Sequence, residues 1–344
     1  MAFEVEIVDP RVDTVPSGWT NFARRRELHP FWDYEMLSVE AWMARNPPLL
    51  AVVHDGDSGG VVGALSILVC RTWRMGDFSP APGGRTRSVR PRWAEVFVPL
   101  FSGHQACVFV AELDEAARVA AIRAFERELV RYLGPGLLGV FYRAMTADLV
   151  PSMVGAGRPH KVIDPVAMLE VGESTVDDRE QVRLEVRSGF GRDDLDPVEL
   201  TTLLNRQRAD DDARAWANGQ PRRFGGVVHV DTRTEVTSAY LDRFIHRSDV
   251  DTMTYHDADG ALVAFNTLID HPTRADMYHW AVAPGRADAG ELYADCYTRR
   301  VRYVTERGRR ELSAGRGLLD VKGRLGFGTR ELHTVAAPRP LLGR

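Results

Sequence analysis

The feature that most constrains this chain is a repeated order of elements. In the first half, apolar runs predict strands over 49–54 and 61–69 around the turn-forming run Asp55-Gly56-Asp57-Ser58-Gly59-Gly60. Asp114 then opens a helix. Its apolar residues Val119, Ile122, Phe125, Leu129 and Leu133 fall on one 3.6-residue stripe until Gly134-Pro135-Gly136 stops it. A strand over 137–142, a short helix over 147–154 closed by Gly155-Ala156-Gly157, and a strand over 162–171 follow. The second half predicts strands over 252–256 and 261–269 around Asp257-Ala258-Asp259-Gly260, then a strand over 276–282. Asp288 opens a helix striped by Tyr293, Tyr297, Val301 and Val304 and stopped by Gly308. A strand over 310–313, a short helix over 318–325, Gly326-Phe327-Gly328 and a strand over 329–336 complete the order. The repeat is one of architecture rather than of residues, although Val53-His54-Asp55 and Tyr255-His256-Asp257 enter the two hairpin turns alike.

A chain of 344 residues has room for two such domains, and the repeat divides it at 1–172 and 173–344. The connecting stretch 172–251 is charged, and a helical piece at 197–205 predicts the first helices of the second domain. With 27% charged and 44% hydrophobic residues, the composition is that of a folded globular chain. Basic side chains number 44 and acidic ones 48, so the net charge of −4 argues against a broad nucleic-acid surface and against DNA as a partner. The longest mostly apolar run, 61–70, falls well short of the about 20 residues of a membrane span, so no membrane partner is expected. The amino-terminal residues lack the pattern of a secretory leader. Cys70, Cys107 and Cys296 offer neither a disulfide framework nor zinc-binding spacing, so the expectation is reduced thiols, no metal and a cytoplasmic location. The Gly-, Pro-, Ser- and Arg-rich segment 71–92 predicts a surface loop whose part 79–90 borders a site.

The order of hairpin, strand, helix, strand, short helix and strand resembles the GNAT N-acetyltransferase fold. The residues that carry the resemblance best lie near the carboxyl end. Residues 291–308, ELYADCYTRRVRYVTERG, resemble the family's helix that runs into a glycine. Leu312-Ser313-Ala314-Gly315-Arg316-Gly317 resembles its strand and small-residue turn, and Val321-Lys322-Gly323-Arg324-Leu325-Gly326-Phe327 its Tyr-Lys-x-x-Leu-Gly-Phe ending. Two such halves resemble the tandem GNAT acyltransferases, including the Fem-type aminoacyl transferases. The resemblance implies an α/β fold, of the α+β mixed-sheet kind, in two tandem GNAT-like domains. The chain departs from the pattern twice. The loop Pro284-Gly285-Arg286-Ala287-Asp288-Ala289-Gly290 lacks the spacing of the family's Arg/Gln-x-x-Gly-x-Gly/Ala pyrophosphate loop, and Val321 stands where the motif has tyrosine.

The activity implied is acyl transfer from a thioester to an amine. The amine must lose a proton, the carbonyl oxygen becomes anionic, and an anionic handle on the donor needs N–H groups or cations. For the handle, Arg286, Ala289 and Gly290 lead into a helix N-terminus. Gly315 and Arg316 form a candidate anion nest or simply a tight turn, and Lys322 matches the family's lysine. Strand 276–282 is expected to open the acyl slot. Alternation puts Asp276, Tyr278 and Trp280 on one face and Met277, His279 and Ala281 on the other. His279 is the candidate base or a packed histidine, Tyr278 the candidate acid or positioning group or an aromatic packer, and Asn266 a carbonyl donor or a satisfied buried amide. Trp93 and His104 are candidates for an acceptor pocket.

Three functions follow from these residues. The first is a tandem acyltransferase that uses acyl-CoA, or a phosphopantetheinyl thioester on an acyl carrier protein, as co-substrate, with no tightly bound cofactor and a small-molecule amine as acceptor. The second replaces the donor with aminoacyl-tRNA, for which Arg222, Arg223 and a basic helix face of Arg299, Arg300, Arg302 and Arg307 would supply the track. The third is a duplicated, non-catalytic binding module.

Overall fold

The computed structural model describes residues 2–44, 46–71, 89, 91–98, 103–155, 157–171, 182–217 and 236–344. The loop expected at 79–90, apart from Val89, and the pair Arg222 and Arg223 lie outside them.

The chain runs β1 (Phe3–Val8), α1 (Trp19–Arg25), α2 (Tyr34–Met43), β2 (Pro48–Asp55), β3 (Val61–Arg71), β4 (Arg92–Val96), β5 (Cys107–Phe109), α3 (Glu115–Leu133), β6 (Leu137–Met145), α4 (Val150–Met153) and β7 (His160–Glu170). It continues with β8 (Glu185–Phe190), α5 (Pro197–Ala217), α6 (Ser238–Ile245), β9 (Val250–His256), β10 (Leu262–Asp270), β11 (Arg274–Val282), α7 (Ala289–Glu306), β12 (Glu311–Ser313), α8 (Leu319–Arg324) and β13 (Gly328–Pro338). Among the described residues, no helix is long and apolar enough to cross a membrane.

Two compact units result. In the described residues the first comprises 2–164 and 331–344, and the second 165–217 and 236–330. Each half of the chain gives its last strand to the other unit. In the first unit the sheet runs β1-β2-β3-β4-β6-β13, with β13 antiparallel to β6 through Val335↔Tyr142 and Ala337↔Val140. In the second it runs β7-β12-β11-β10-β9-β8, with β7 antiparallel to β12 through Leu312↔Leu169. The linear division at 172/173 does not contain this exchange. Its physical reason is burial: Leu332, Val335 and Ala337 of β13 and Ala167 and Leu169 of β7 are all at most 4% exposed where they pair.

The stripes read from the sequence face their cores. Ile122, Phe125, Leu129 and Leu133 of α3 are buried in the first unit, under the Asp114 cap, whose carboxylate accepts the Ala117 N–H at 2.7 Å. Tyr297, Val301 and Val304 of α7 join Met253, Tyr255, Leu268, Met277 and Leu312 in the core of the second. Both hairpins close alike. His54 Nδ1 lies 3.2 Å from the Gly59 carbonyl oxygen and His256 Nδ1 3.2 Å from that of Gly260, while Asp55 and Asp257 each accept the N–H two residues on. The duplication therefore extends to residues at these two turns. The three cysteines are buried, and none of them is in a disulfide.

Candidate active site

The strands that flank the site are parallel and part company. β11 and β12 pair at Arg274↔Glu311, Ala275↔Leu312 and Asp276↔Ser313. There β12 ends, while β11 continues to Val282. In the first unit the corresponding strands, β4 and β6, likewise pair to the end of the shorter strand, at Val96↔Tyr142, with a register shift between Arg92 and Ala94. Among the described residues the longer strand of each pair runs on past its partner, β11 by six residues and β6 by three. A β11 edge without a neighbouring strand must find other partners for its backbone groups. One comes from α5, where Gln207 Oε1 accepts the Val282 N–H at 2.6 Å. Asp276, at the fork, is buried and held by Arg274 Nε at 3.1 Å. Burial raises its carboxyl pKa, with Arg274 and a Ser313 hydrogen bond opposing.

A bulge in β11 overturns the expected alternation of faces. Asn266 pairs with Trp280 and Leu268 with Met277, so Tyr278 and His279 both stand opposite Thr267. Met277 and Trp280 accordingly both join the core under α7. Tyr278 and His279 lie together on the other face, ring centroids 4.0 Å apart. Phe244 of α6 meets each of them edge-to-face at 5.1 Å, and the Tyr240 hydroxyl lies 3.4 Å from that of Tyr278. The alternation fails because one extra residue in a strand reverses the parity of every later side chain.

His279 is 3% exposed. Thr267 Oγ1 accepts its backbone N–H at 3.0 Å and lies 2.9 Å from its Nδ1. Nε2 is buried with no hydrogen-bond partner among the described residues. Burial pushes the imidazole pKa down to about 3, helped by the Arg208 charge on α5. The ring is neutral across the working range of most enzymes and a weak proton acceptor there.

Asn266 is committed at both ends of its amide. Nδ2 donates to the His279 carbonyl at 2.7 Å, and Oδ1 accepts from Arg300 Nε at 2.6 Å. Arg300 Nη1 in turn bonds Asp251 Oδ1, which also accepts from Ser188 Oγ at 2.7 Å. This network fixes the bulge from beneath. It also spends Arg300, which is 1% exposed. Arg299 pairs with Asp295 at 2.6 Å, and Arg307 lies over the rings of Phe190 and Tyr303 at 5.4 Å. Of the four arginines read as a basic face, Arg300 is thus buried inside the fold and Arg299 is paired, while Arg307 lies exposed just past the end of α7.

Because β11 and β12 are parallel, the loops that leave their carboxyl ends emerge at the same side of the sheet. After β11, Gly285 turns with φ 78° and Arg286 grips Asp288 with two bonds of 2.8 and 2.6 Å. Asp288 precedes Ala289 and Gly290, the first residues of α7, and makes no side-chain cap there. The Arg286 bond holds the Asp288 carboxyl below its usual range, and Asp288 raises Arg286. After β12, Gly315 adopts φ 70°, as a tight turn requires, and its carbonyl accepts the Ala167 N–H at 3.0 Å. Arg316 is half-buried beside it. Lys322 on α8 is 4% exposed, and its Nζ donates to the Ala314 carbonyl. Burial lowers its ammonium pKa to about 8.

The structure thus gathers Asn266, Tyr278 and His279 on adjacent strands and gives Arg286, Ala289, Gly290, Gly315, Arg316 and Lys322 to the loops and helices at the parted ends. Trp93 and His104 belong to the first unit. Trp93, half-buried on β4, packs against Phe141 at 5.0 Å. His104 meets His29 and Phe31 edge-on at 4.4 and 4.6 Å. Sequence reasoning missed Thr267, Gln207, Tyr240 and Phe244. The first follows Asn266 directly, and the last two share a helix face at the i,i+4 spacing.

No protein-family model and no curated protein sequence matches the chain. Solved structures do. A tandem GNAT protein from the clavulanic acid biosynthesis pathway matches at TM-score 0.50 and 14% identity, over 98% of this chain and 99% of that one. L-PGS from Bacillus licheniformis matches at 0.56 and 10% over 98% of each, and FemX at 0.53 and 10% over 94% and 97%. At these identities the likeness is one of fold. The chain has a GNAT-like tandem fold of mixed α/β architecture.

Proposed function

We propose that the chain is an acyltransferase that takes an acyl group from a thioester, on CoA or on the phosphopantetheine of a carrier protein, and passes it to an amine of a small metabolite. The observation that carries this reading is the run of β11 on to Val282 beyond its last pair with β12, Asp276↔Ser313, twice as far as β6 runs on beyond β4 in the first unit. An extended pantetheine arm fits a gap between strands because its amides can bond the freed edge of β11. The thioester carbonyl then lies near the bulge at Tyr278 and His279. Attack is direct: the amine nitrogen bonds the carbonyl carbon, the C–S bond breaks, and the amine's proton leaves to the departing sulfur. Arg286 and the α7 N-terminus face the donor's anionic end. Arg286 is shared with Asp288, so the donor must compete for it.

Thermal shift and native mass spectrometry with CoA, acetyl-CoA, a phosphopantetheinylated carrier protein and bulk tRNA test the reading. Stabilisation of about 2.7 kcal/mol is expected at about 100 times the dissociation constant, from CoA or the carrier protein, and Arg286→Ala should weaken it. A salt-sensitive response to tRNA alone would replace the thioester with an aminoacyl-tRNA donor. Silence toward every donor, with a metabolite or protein partner still bound, would make this a non-catalytic module.

A further inference from the structure

One atom of the second unit, the Nε2 of His279, has no use in the fold. It is buried without a partner among the described residues, in a side chain 97% removed from solvent by its 3% exposure. A buried polar group left unpaired is costly, and such groups persist where a ligand completes them. Thr267 decides what Nε2 can offer. Its hydroxyl accepts the His279 backbone N–H and, among the described residues, has one other hydrogen-bond partner, His279 Nδ1 at 2.9 Å. To use its own proton the hydroxyl donates to Nδ1, and the ring's proton then sits on Nε2. Nε2 is thus an N–H donor. The groups around it agree. Arg208 of α5 adds positive charge, Phe244 and Tyr240 of α6 and Tyr278 of β11 supply rings and hydroxyls, and no carboxylate is paired with His279 among the described residues. These surroundings favour a carbonyl or oxyanion over an ammonium.

We propose that His279 acts as a fixed neutral donor whose Nε2–H bonds the acyl carbonyl oxygen of the thioester and the oxyanion that forms on attack, with Thr267 as the positioning residue that sets its tautomer. This assignment rests on the thioester reading above and gives His279 a role other than proton acceptor. The donor is prepaid: its ring is held by Thr267 and needs no reorientation as charge develops.

Two measurements test it. Nitrogen-detected NMR of the histidine side chains in the free protein should show His279 as a neutral ring protonated on Nε2 from pH 5 to 8. A proton on Nδ1, or titration near the ordinary histidine value, would overturn the assignment without touching the thioester reading. Calorimetry should show acetyl-CoA binding about fivefold tighter than CoA, the worth of one carbonyl hydrogen bond. In His279→Phe the two ligands should bind equally. Thr267→Val, a smaller change to the fold, should narrow the preference too. Equal binding by the wild-type protein would sink the role of His279 and leave the donor reading standing. Failure of both ligands, and of an acetylated phosphopantetheinyl carrier protein, to bind would overturn both together.

Discussion

Arg300 and Asp251 form an ion pair inside the second unit, their side chains 1% and 4% exposed, and Asn266 completes it by accepting from Arg300 Nε. Through Asn266 the pair reaches the His279 carbonyl, so the bulge that presents the candidate donor rests on a buried charge. Removing one partner strands the other. Arg300→Met should cost about 3–5 kcal/mol in urea unfolding. Replacing Asp251 by Leu as well should restore part of that loss. A single-variant cost below about 1 kcal/mol would mean that water or a rearranged side chain already serves Asp251.

Glu40 predicts a pH dependence of stability in the first unit. It lies on the buried face of α2, 3% exposed, and its Oε1 has no partner among the described residues. Burial raises its carboxyl pKa from 4.5 to about 8. The folded value is above the unfolded one, so the contribution is fully present below about 4.5 and is lost as pH rises through about 8. Glu40→Gln removes that slope. The variant should gain on wild type by up to about 5 kcal/mol between these limits. Parallel pH profiles of unfolding would rule out a neutral, buried Glu40.

How much of this was legible beforehand depends on the range of the forces involved. The helix stripes at Phe125 and Val301 and the hairpin turns at Asp55 and Asp257 are local, and the sequence pattern contains them. So does the His-Asp repeat, whose two hairpins prove alike to the hydrogen bond. The exchange of β7 and β13 is a long-range pairing that no local period encodes. The faces of Tyr278 and His279 could not be read either. A bulge is fixed by what lies across the ladder, here Thr267, and alternation assumes that none occurs. Asn266 was visible as a polar residue in an apolar strand, but its partner Arg300 comes from a helix more than thirty residues away, at |i−j| = 34.

Arg286 and Asp288 make the donor's anionic end a matter of competition. The carboxylate takes both guanidinium bonds and places a negative charge just before α7, where the helix dipole would otherwise favour an anion. Asp288→Asn should release Arg286 and remove the like charge. Affinity for CoA should rise about threefold or more at low salt, and the gain should shrink at high salt. Unchanged affinity would place the anionic end elsewhere, and weaker binding would show that Asp288 is needed to aim Arg286.

Lys322 carries the opposite sign to Glu40. Its ammonium is buried on the Ala314 carbonyl just past the fork, with no acidic partner among the described residues, and its pKa falls from 10.5 to about 8. The folded value is below the unfolded one. Stability from this group is therefore present above about 10.5 and lost as pH falls through about 8. Lys322→Met keeps the stem's volume and removes the charge, at the cost of leaving the Ala314 carbonyl without its donor. Wild type should gain on the variant by about 2–3 kcal/mol as pH rises between those limits. Because its ammonium bonds the Ala314 carbonyl in the turn that follows β12, the same variant should alter thioester affinity more than a surface lysine change would. A difference between the two proteins that does not change with pH would show that the amine keeps its ordinary affinity for a proton, either solvated or paired with an acid.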